Sequence, residues 1–316
     1  MASVSTEAVL LMAYGGPDRL DQVEAYYTDI RRGSAPPPEL LEELLGRYRA
    51  IGGRSPLSRL VEAQRTALET ELAARGRPLR VYAGMRHIEP RIGAIVEEMA
   101  ADGVERFVAI ALAPQQSSNG AGYRRAVDAA LSGLGPGAPW AIFVHSWYDQ
   151  PHFIEALALT TREALTRFPD PARVRVVFTA HSLPARVVAA MDPYPDEVAG
   201  TAALVAEQLG LAEYDVAFQS AGRTGEAWLG PDILAEIRRL AGAGVTELVV
   251  RPVGFVADHL EVLYDIDIEA QGAAREVGVR LERARSMNDD PIFISALADL
   301  AAAALAETEP EPAGAA

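Results

Sequence analysis

Histidine and a run of closely spaced carboxylates are the side chains of this sequence that can move protons or hold a metal near neutral pH. His181 directly follows the apolar run Val174–Ala180, at the mouth of an expected strand, where a ring can project into a cleft. A lone histidine is usually structural, but an imidazole can bind metal or take a proton there. The segment Asp258–Glu269, DHLEVLYDIDIE, is more telling. Glu261, Asp265 and Glu269 recur at every fourth residue, and Asp258 lies one turn before Glu261. On a helix these carboxylates form one acidic stripe. Like charges at this spacing repel, so the stripe costs helix stability unless cations or protons neutralise it. A solvated acidic face is the ordinary reading. The apolar setting of Leu260, Val262, Leu263, Ile266 and Ile268 favours instead a path for hydrated cations or protons.

Oxygen and imidazole donors without thiolate suit a first-row divalent metal such as Fe2+, held weakly enough to be passed on. HEXXH and EF-hand patterns are absent, so a firmly held structural metal is not expected. Basic side chains cluster elsewhere, at Arg31, Arg32, Arg47, Arg49, Arg54, Arg59 and Arg65, with Tyr48 and Ser55 among them. Guanidinium groups grip carboxylates bidentately, and Tyr and Ser hydroxyls can complete such a site. The rest of that cluster is ordinary surface charge. Together these residues predict a cleft facing a flat or polyanionic ligand, with histidine and carboxylates beyond it. Tyr14-Gly15-Gly16-Pro17 closes the first strand, but it lacks the GxGxxG spacing of a dinucleotide site.

The elements that must position these residues alternate. Apolar runs at Ala8–Ala13, Leu79–Met85, Arg106–Leu112, Trp140–Val144, Val174–Ala180, Asp215–Gln219, Glu247–Pro252 and Val279–Arg283 read as strands buried on both faces. Helical patterns such as Pro38–Arg49, Ser58–Ala74, Pro151–Phe168 and Glu197–Leu209 lie between them. The alternation predicts an α/β fold of βαβ units. Two Rossmann-like domains, each a four-stranded parallel sheet flanked by helices, fit better than a closed barrel, because the helical insert 21–75 is an unusual barrel connection. The first domain is expected over 1–150 with a returning C-terminal helix, 289–307, and the second over 151–288. The tail 308–316, TEPEPAGAA, reads as disordered. In such sheets ligands sit beyond the carboxyl ends of the strands, which is where Tyr14, His181 and the run from Pro252 to Glu261 fall.

Composition narrows the chemistry further. The 316 residues contain no cysteine and no lysine, so all 29 basic side chains are arginine. That excludes thiolate nucleophiles, Schiff-base lysines, Walker-type lysines and all-cysteine iron–sulfur clusters. A GC-rich coding bias accounts for the missing lysine. A net charge of −15 argues against nucleic acid as a partner. No apolar stretch reaches the length of a membrane span, and MASVSTEAVLLMAYGG has no basic lead or cleavage site. A cytoplasmic location is the expectation.

The motifs LLMAYGGP, YYTDIRRG, GRYRAIGGRSPL, AGMRHIEP, SWYDQP, TAHSLP, DPYP, FQSAGRTGEAWLGPD and PVGFVADHLEVLYDID occur in this order, and by them the chain resembles ferrochelatases from Leu10 to about Ala304. The resemblance implies two Rossmann-like domains and insertion of Fe2+ into a porphyrin. LLMAYGGP with Tyr14 looks like the Gram-positive type, whose tyrosine faces the metal axially and whose substrate is coproporphyrin III, the product being coproheme. By motif, His181 and Glu261 would bind the incoming iron and assist deprotonation. Arg31, Arg47, Tyr48, Ser55 and Tyr123 would hold the porphyrin, and Asp258, Asp265 and Glu269 would line a proton or metal path. Fe2+ enters as substrate, with no tightly bound cofactor and no iron–sulfur cluster. A monomer is expected, with transient contacts to other heme-pathway enzymes. Pro114–Gly122, PQQSSNGAG, departs from the pattern at Gln116, where the family usually has an aromatic.

The same reaction on protoporphyrin IX is the nearest alternative. A tetra-anionic coproporphyrin needs more propionate partners than a dianionic porphyrin, and the arginine-rich insert leans that way. A cobalt or nickel chelatase acting on sirohydrochlorin shares the fold but lacks this motif order. A non-catalytic tetrapyrrole carrier would have no use for His181 with the acidic ladder.

Overall fold

Strand β1, Glu7–Ala13, reads EAVLLMA and is buried from Ala8 onward. Side chains alternate across a strand, so an unbroken apolar run needs protein on both faces of the sheet. The computed structural model, which describes residues 6–118, 120–186, 191–222 and 225–306, supplies it. β1 lies between β2 (Arg80–Met85) and β3 (Arg106–Ala111), with β4 (Trp140–Val144) outside β3, all parallel. The second sheet repeats the same winding. β5 (Arg175–His181) lies between β6 (Tyr214–Gln219) and β7 (Glu247–Pro252), with β8 (Arg280–Arg283) outside β7. Expected and observed strand limits differ by one residue at most, and the two four-stranded parallel sheets are as expected.

Helices cover the sheets. The insert contributes α1 (Val23–Ile30), α2 (Pro38–Ala50) and α3 (Leu57–Ala74). α4 (Ile92–Ala101) and α5 (Ala121–Leu134) close the outer face of the first sheet, packing Ile92, Ile95, Val96, Met99 and Val127 on Leu10 and Phe107. α6 (Pro151–Leu165) and α7 (Tyr194–Leu209) lie on the inner side of the second sheet, and α8 (Ile233–Gly242) on its outer side. One apolar cluster runs without a break from Val9 and Leu11 of β1 through Trp147 and Phe153 to Val176 and Phe178 of β5. The sheets therefore each keep a private core outside and share a third between them.

The C-terminal helix α11, Pro291–Ala306, joins that shared core. It packs against both α3 of the insert and α6. Alanine at 296, 298, 301 and 304 lets it approach closely, while Phe293, Ile294 and Leu297 fill the space. Asp299 ties it down, reaching Arg75 at 2.6 Å, His152 Nδ1 at 2.6 Å and Gln150 at 3.0 Å. The expected disordered tail 308–316 and Glu307 lie outside the described residues.

The acidic segment corrects the expectation of one regular helix. α9 spans only Leu260–Leu263, a π-helical turn follows at Asp265–Ala270, and α10 takes over at Gln271–Glu276. Tyr264 carbonyl oxygen accepts from both Ile268 N at 3.1 Å and Glu269 N at 3.0 Å, the wider ring that defines the π turn. The anchoring side chains are Ile266, Ala270 and Ala274, which belong to the private core of the second sheet. Keeping them seated while turning Asp265 inward requires one residue more than an α turn holds.

Candidate active site

Both sheets change winding direction at their first strand, β1 or β5, and a crevice forms at each such point beyond the carboxyl ends. β1 delivers Tyr14 there and β5 delivers His181. The loop after β7 brings Glu261 to His181, with Nε2 and Oε1 3.5 Å apart. His259 Nε2 stands 3.6 Å from the other Glu261 oxygen. His181 Nδ1–H donates to the Ser182 carbonyl, which turns Nε2 toward Glu261. Burial alone would lower the His181 pKa, but the Glu261 carboxylate and the Ser182 bond raise it to about 9. Burial opposes ionisation of Glu261 too, yet His181 and His259 hold it well below the usual carboxylate range. The pair is thus an imidazolium and a carboxylate at neutral pH. Gln219, buried at the end of β6, donates to the Glu261 carbonyl at 2.5 Å and fixes its backbone.

The acidic ladder continues from Glu261 in part. Asp265 is 4% exposed, accepts from Ser220 Oγ and stands 3.6 Å from Arg47 Nη1. The oxygen facing Arg47, Oδ1, is too far from it to bond and has no hydrogen-bond partner among the described residues. Burial, then the Glu261 charge, push its pKa up to about 7, a value at which a carboxyl both gives and takes protons. Glu269 lies within the electrostatic field of Arg47 and Asp265. Asp258 does not join the stripe. It precedes α9 and is held by Arg283 at 3.1 Å, Ser286 at 2.7 Å and Asn288 at 3.2 Å, so its carboxylate closes a turn instead.

On the opposite side Tyr14 is 38% exposed, and burial with the nearby Glu261 charge pushes its phenol up to about 12. Its ring rests on His87, centroids 4.4 Å apart, and the Arg86 guanidinium lies 5.7 Å from the same ring. Arg86 also covers Tyr123, at 5.8 Å, and its guanidinium lies 2.3 Å from where a Cβ on Gly122 would stand, so a larger residue there would push Arg86 aside. Tyr48 and Ser55 are buried, at 2% and 4% exposure, beneath the Gly15-Gly16 turn. Ser55 Oγ would clash with a Cβ on Gly16 at 2.6 Å, and Tyr26, bonded to Tyr48, donates to the Gly15 carbonyl at 3.1 Å. These groups shape the glycine turn from below. Arg47 reaches across to Asp265, with its guanidinium 5.1 Å from the Tyr264 ring centroid and 3.0 Å from Glu43. Arg31 stands apart, over the Tyr27 ring at 5.8 Å, with its Nε unpartnered.

The structure thus gathers Tyr14, His181, Glu261, Asp265, Glu269 and Arg47, buries Tyr48, Ser55 and Tyr123 behind the wall that carries Tyr14, leaves Arg31 at the side, and sets Asp258 in a turn outside the stripe. The loop with Gln116 crosses to the second sheet's helix α7, where Glu197 accepts from Gln116 N at 2.6 Å. Several residues were missed from sequence: His259, Gln219, Ser220, Tyr26, Tyr194 and the trio Asp29, Arg86 and His87. The last had a signal, because Arg86 and His87 directly follow β2 and fall under the same strand-end rule. Tyr194, which donates to the His181 carbonyl at 3.0 Å, had none, since that contact joins a helix start to a strand end.

Comparison with known proteins agrees with this geometry. The ferrochelatase family model matches residues 6–305. A ferrochelatase of Thermus thermophilus is 47% identical, covering 94% of this chain and 98% of its own. A ferrochelatase of Herpetosiphon aurantiacus is 45% identical over 92% and 96%, and a coproporphyrin III ferrochelatase of Geobacillus kaustophilus 44% identical over 93% and 95%. Among solved structures, SirB from Bacillus subtilis with Fe3+ superposes with a TM-score of 0.60 at 14% identity, covering 96% of this chain and 99% of that one, a likeness of fold alone. Similarity of this extent, on top of two like-wound sheets that each bring one side of a single cleft, means that the chain belongs to the ferrochelatase family.

Proposed function

We propose that this chain inserts Fe2+ into coproporphyrin III, giving Fe-coproporphyrin with release of two protons, as a monomer in the cytoplasm. The observation that carries the reading is the His181–Glu261 pair at 3.5 Å, facing the cleft opposite Tyr14. Two donors of this kind can receive a cation without keeping it. Among the described residues no three His, Cys, Asp or Glu side chains gather closely enough to cage an ion. An incoming dication displaces the His181 Nε2 proton, which leaves by way of Asp265, and once the metal has passed to the macrocycle the vacated Nε2 accepts a pyrrole proton. Asp265, with its pKa near 7, passes protons on toward Glu269. Tyr14 stays a phenol on the other macrocycle face, where it meets the metal axially. Arg31 and Arg54, which carry no ion pair among the described residues, remain free for propionates, and Arg47 screens the acidic path. Binding energy from those remote contacts offsets the strain of bending a planar macrocycle.

Coproporphyrin is favoured over protoporphyrin IX by the arginine-rich insert and by relatives named for that substrate. Purified protein, anaerobic Fe2+ and the absorption change of each porphyrin in parallel test this, and a strong preference for protoporphyrin IX overturns the substrate. For His181→Ala the expected loss of insertion is at least about 100-fold with porphyrin binding retained. Undiminished insertion removes His181 from the reaction.

A further inference from the structure

Beneath Tyr14 lies a set of side chains to which the reaction above gives no task. The His87 ring packs against the Tyr14 ring at 4.4 Å with planes inclined by 52°. Its Nδ1 stands 2.6 Å from Asp29 Oδ2. Asp29 in turn receives both prongs of Arg91, Nη1 to Oδ2 and Nη2 to Oδ1, each at 3.0 Å. Arg91 is itself tethered, because Nη1 also donates to the Arg86 carbonyl at 2.7 Å. The Tyr26 ring closes the remaining side edge-on, 6.5 Å away at 88°. These contacts together fix the plane of the imidazole.

The protonation pattern follows from the same contacts. Arg91 holds Asp29 below the usual carboxylate range, so Asp29 accepts only. Nδ1 faces an acceptor and Nε2 faces none, so the ring's proton belongs on Nδ1 and the lone pair on Nε2. The side chain is only 10% exposed, and Nε2 has no hydrogen-bond partner. Leaving a buried polar atom without a partner is costly. A purely apolar ring would avoid that cost, so the imidazole is retained for the bond to Asp29, which sets its plane. The backbone binds the same two residues, since His87 N donates to the Tyr14 carbonyl at 3.0 Å.

We infer that His87, locked by Asp29 and Arg91, is a positioning residue for Tyr14, setting the pitch at which the phenol meets the metal on its face of the porphyrin. The inference rests on the axial reading of Tyr14 given above. Pitch matters because a misplacement of about 1 Å can cost about 100-fold in rate.

Two readouts on the full chain test it: insertion kinetics with coproporphyrin III and Fe2+, and the absorption and electron-spin spectra of the protein loaded with ferric coproheme. His87→Ala is expected to lower kcat about tenfold with KM for the porphyrin within about twofold, and to shift the axial-oxygen signature. Asp29→Asn moves both in the same direction without opening a cavity. His87→Asn, whose amide nitrogen can replace Nδ1 against Asp29, recovers most of the rate. In a Tyr14→Phe background the His87→Ala change should add nothing to either readout, the mark of an effect acting through Tyr14. If Tyr14→Phe leaves the spectrum unchanged, the axial reading falls and the positioning role falls with it. If Tyr14→Phe alters the spectrum while folded His87→Ala and Asp29→Asn do not, the positioning role alone is overturned.

Discussion

His181 and Glu261 share one proton, and pH acts on that pair in opposite senses for stability and for catalysis. His181 is raised from 6.5 to about 9, so its contribution to stability is complete below pH 6.5 and fades as pH rises through 9. Glu261 is lowered from 4.5, so its contribution is present above that value and is lost in acid. Insertion needs the free imidazole, so its rate should climb with pH between 6 and about 9, and His181→Ala should flatten the profile. Asp265 acts on stability in the same sense as His181 and opposite to Glu261. Its pKa rises from 3.8 to about 7, so the folded state binds the extra proton and loses stability as pH climbs across that interval. Asp265→Asn should therefore raise the melting temperature at pH 8 more than at pH 5, while slowing insertion. An equal shift at both values contradicts the buried, proton-carrying Asp265. His181 and Glu261 were legible from sequence because each ends or follows a strand and has a distinctive type. The Asp29–His87–Arg91 set was not, because its members meet only when the insert folds back on the end of β2.

At the scale of elements, the decisive piece is the π turn. Periodicity located the acidic segment but assigned it a plain helix, since a 3.6-residue pattern contains no mark of one extra residue. The reason lies in tertiary packing, where Ile266, Ala270 and Ala274 must seat in the core while Asp265 faces Arg47 and Ser220. Ile268 is among the larger exposed apolar side chains, at 36%. Deleting it should return the segment to α-helical spacing and swing Asp265 away from Ser220. The expected result is a folded protein by circular dichroism that binds porphyrin with an unchanged KM and loses most of its kcat. Full activity in that deletion would show that the π turn is incidental. Strand positions, by contrast, were readable almost to the residue, because runs such as AVLLM and VRVVFTA need burial on both faces and cannot sit elsewhere.

For the whole molecule, the shared core between the sheets predicts one cooperative unfolding event. Trp147, Phe153, Phe178 and Phe293 belong to a single cluster, so neither sheet can lose its inner face alone. Calorimetry should give one transition with matching calorimetric and van 't Hoff enthalpies, and two resolved transitions would contradict the shared core. Phe293→Ala should cost about 3–5 kcal/mol, more than a surface change, and lower that single transition without splitting it. No helix among the described residues is long and apolar enough to cross a membrane.

The position of α11 in the chain has a temporal consequence. It follows all eight strands in sequence, yet its Phe293, Ile294 and Leu297 lie in the core that both sheets share. During synthesis, which runs from the first strand to the last helix, Val9, Leu11, Val176 and Phe178 are made long before the helix that completes their cover. A nascent chain held on the ribosome therefore carries two finished sheets with sticky inner faces and a cleft whose walls are not yet locked. Chaperone occupancy should persist until α11 emerges, and the cleft becomes competent only after that helix has docked.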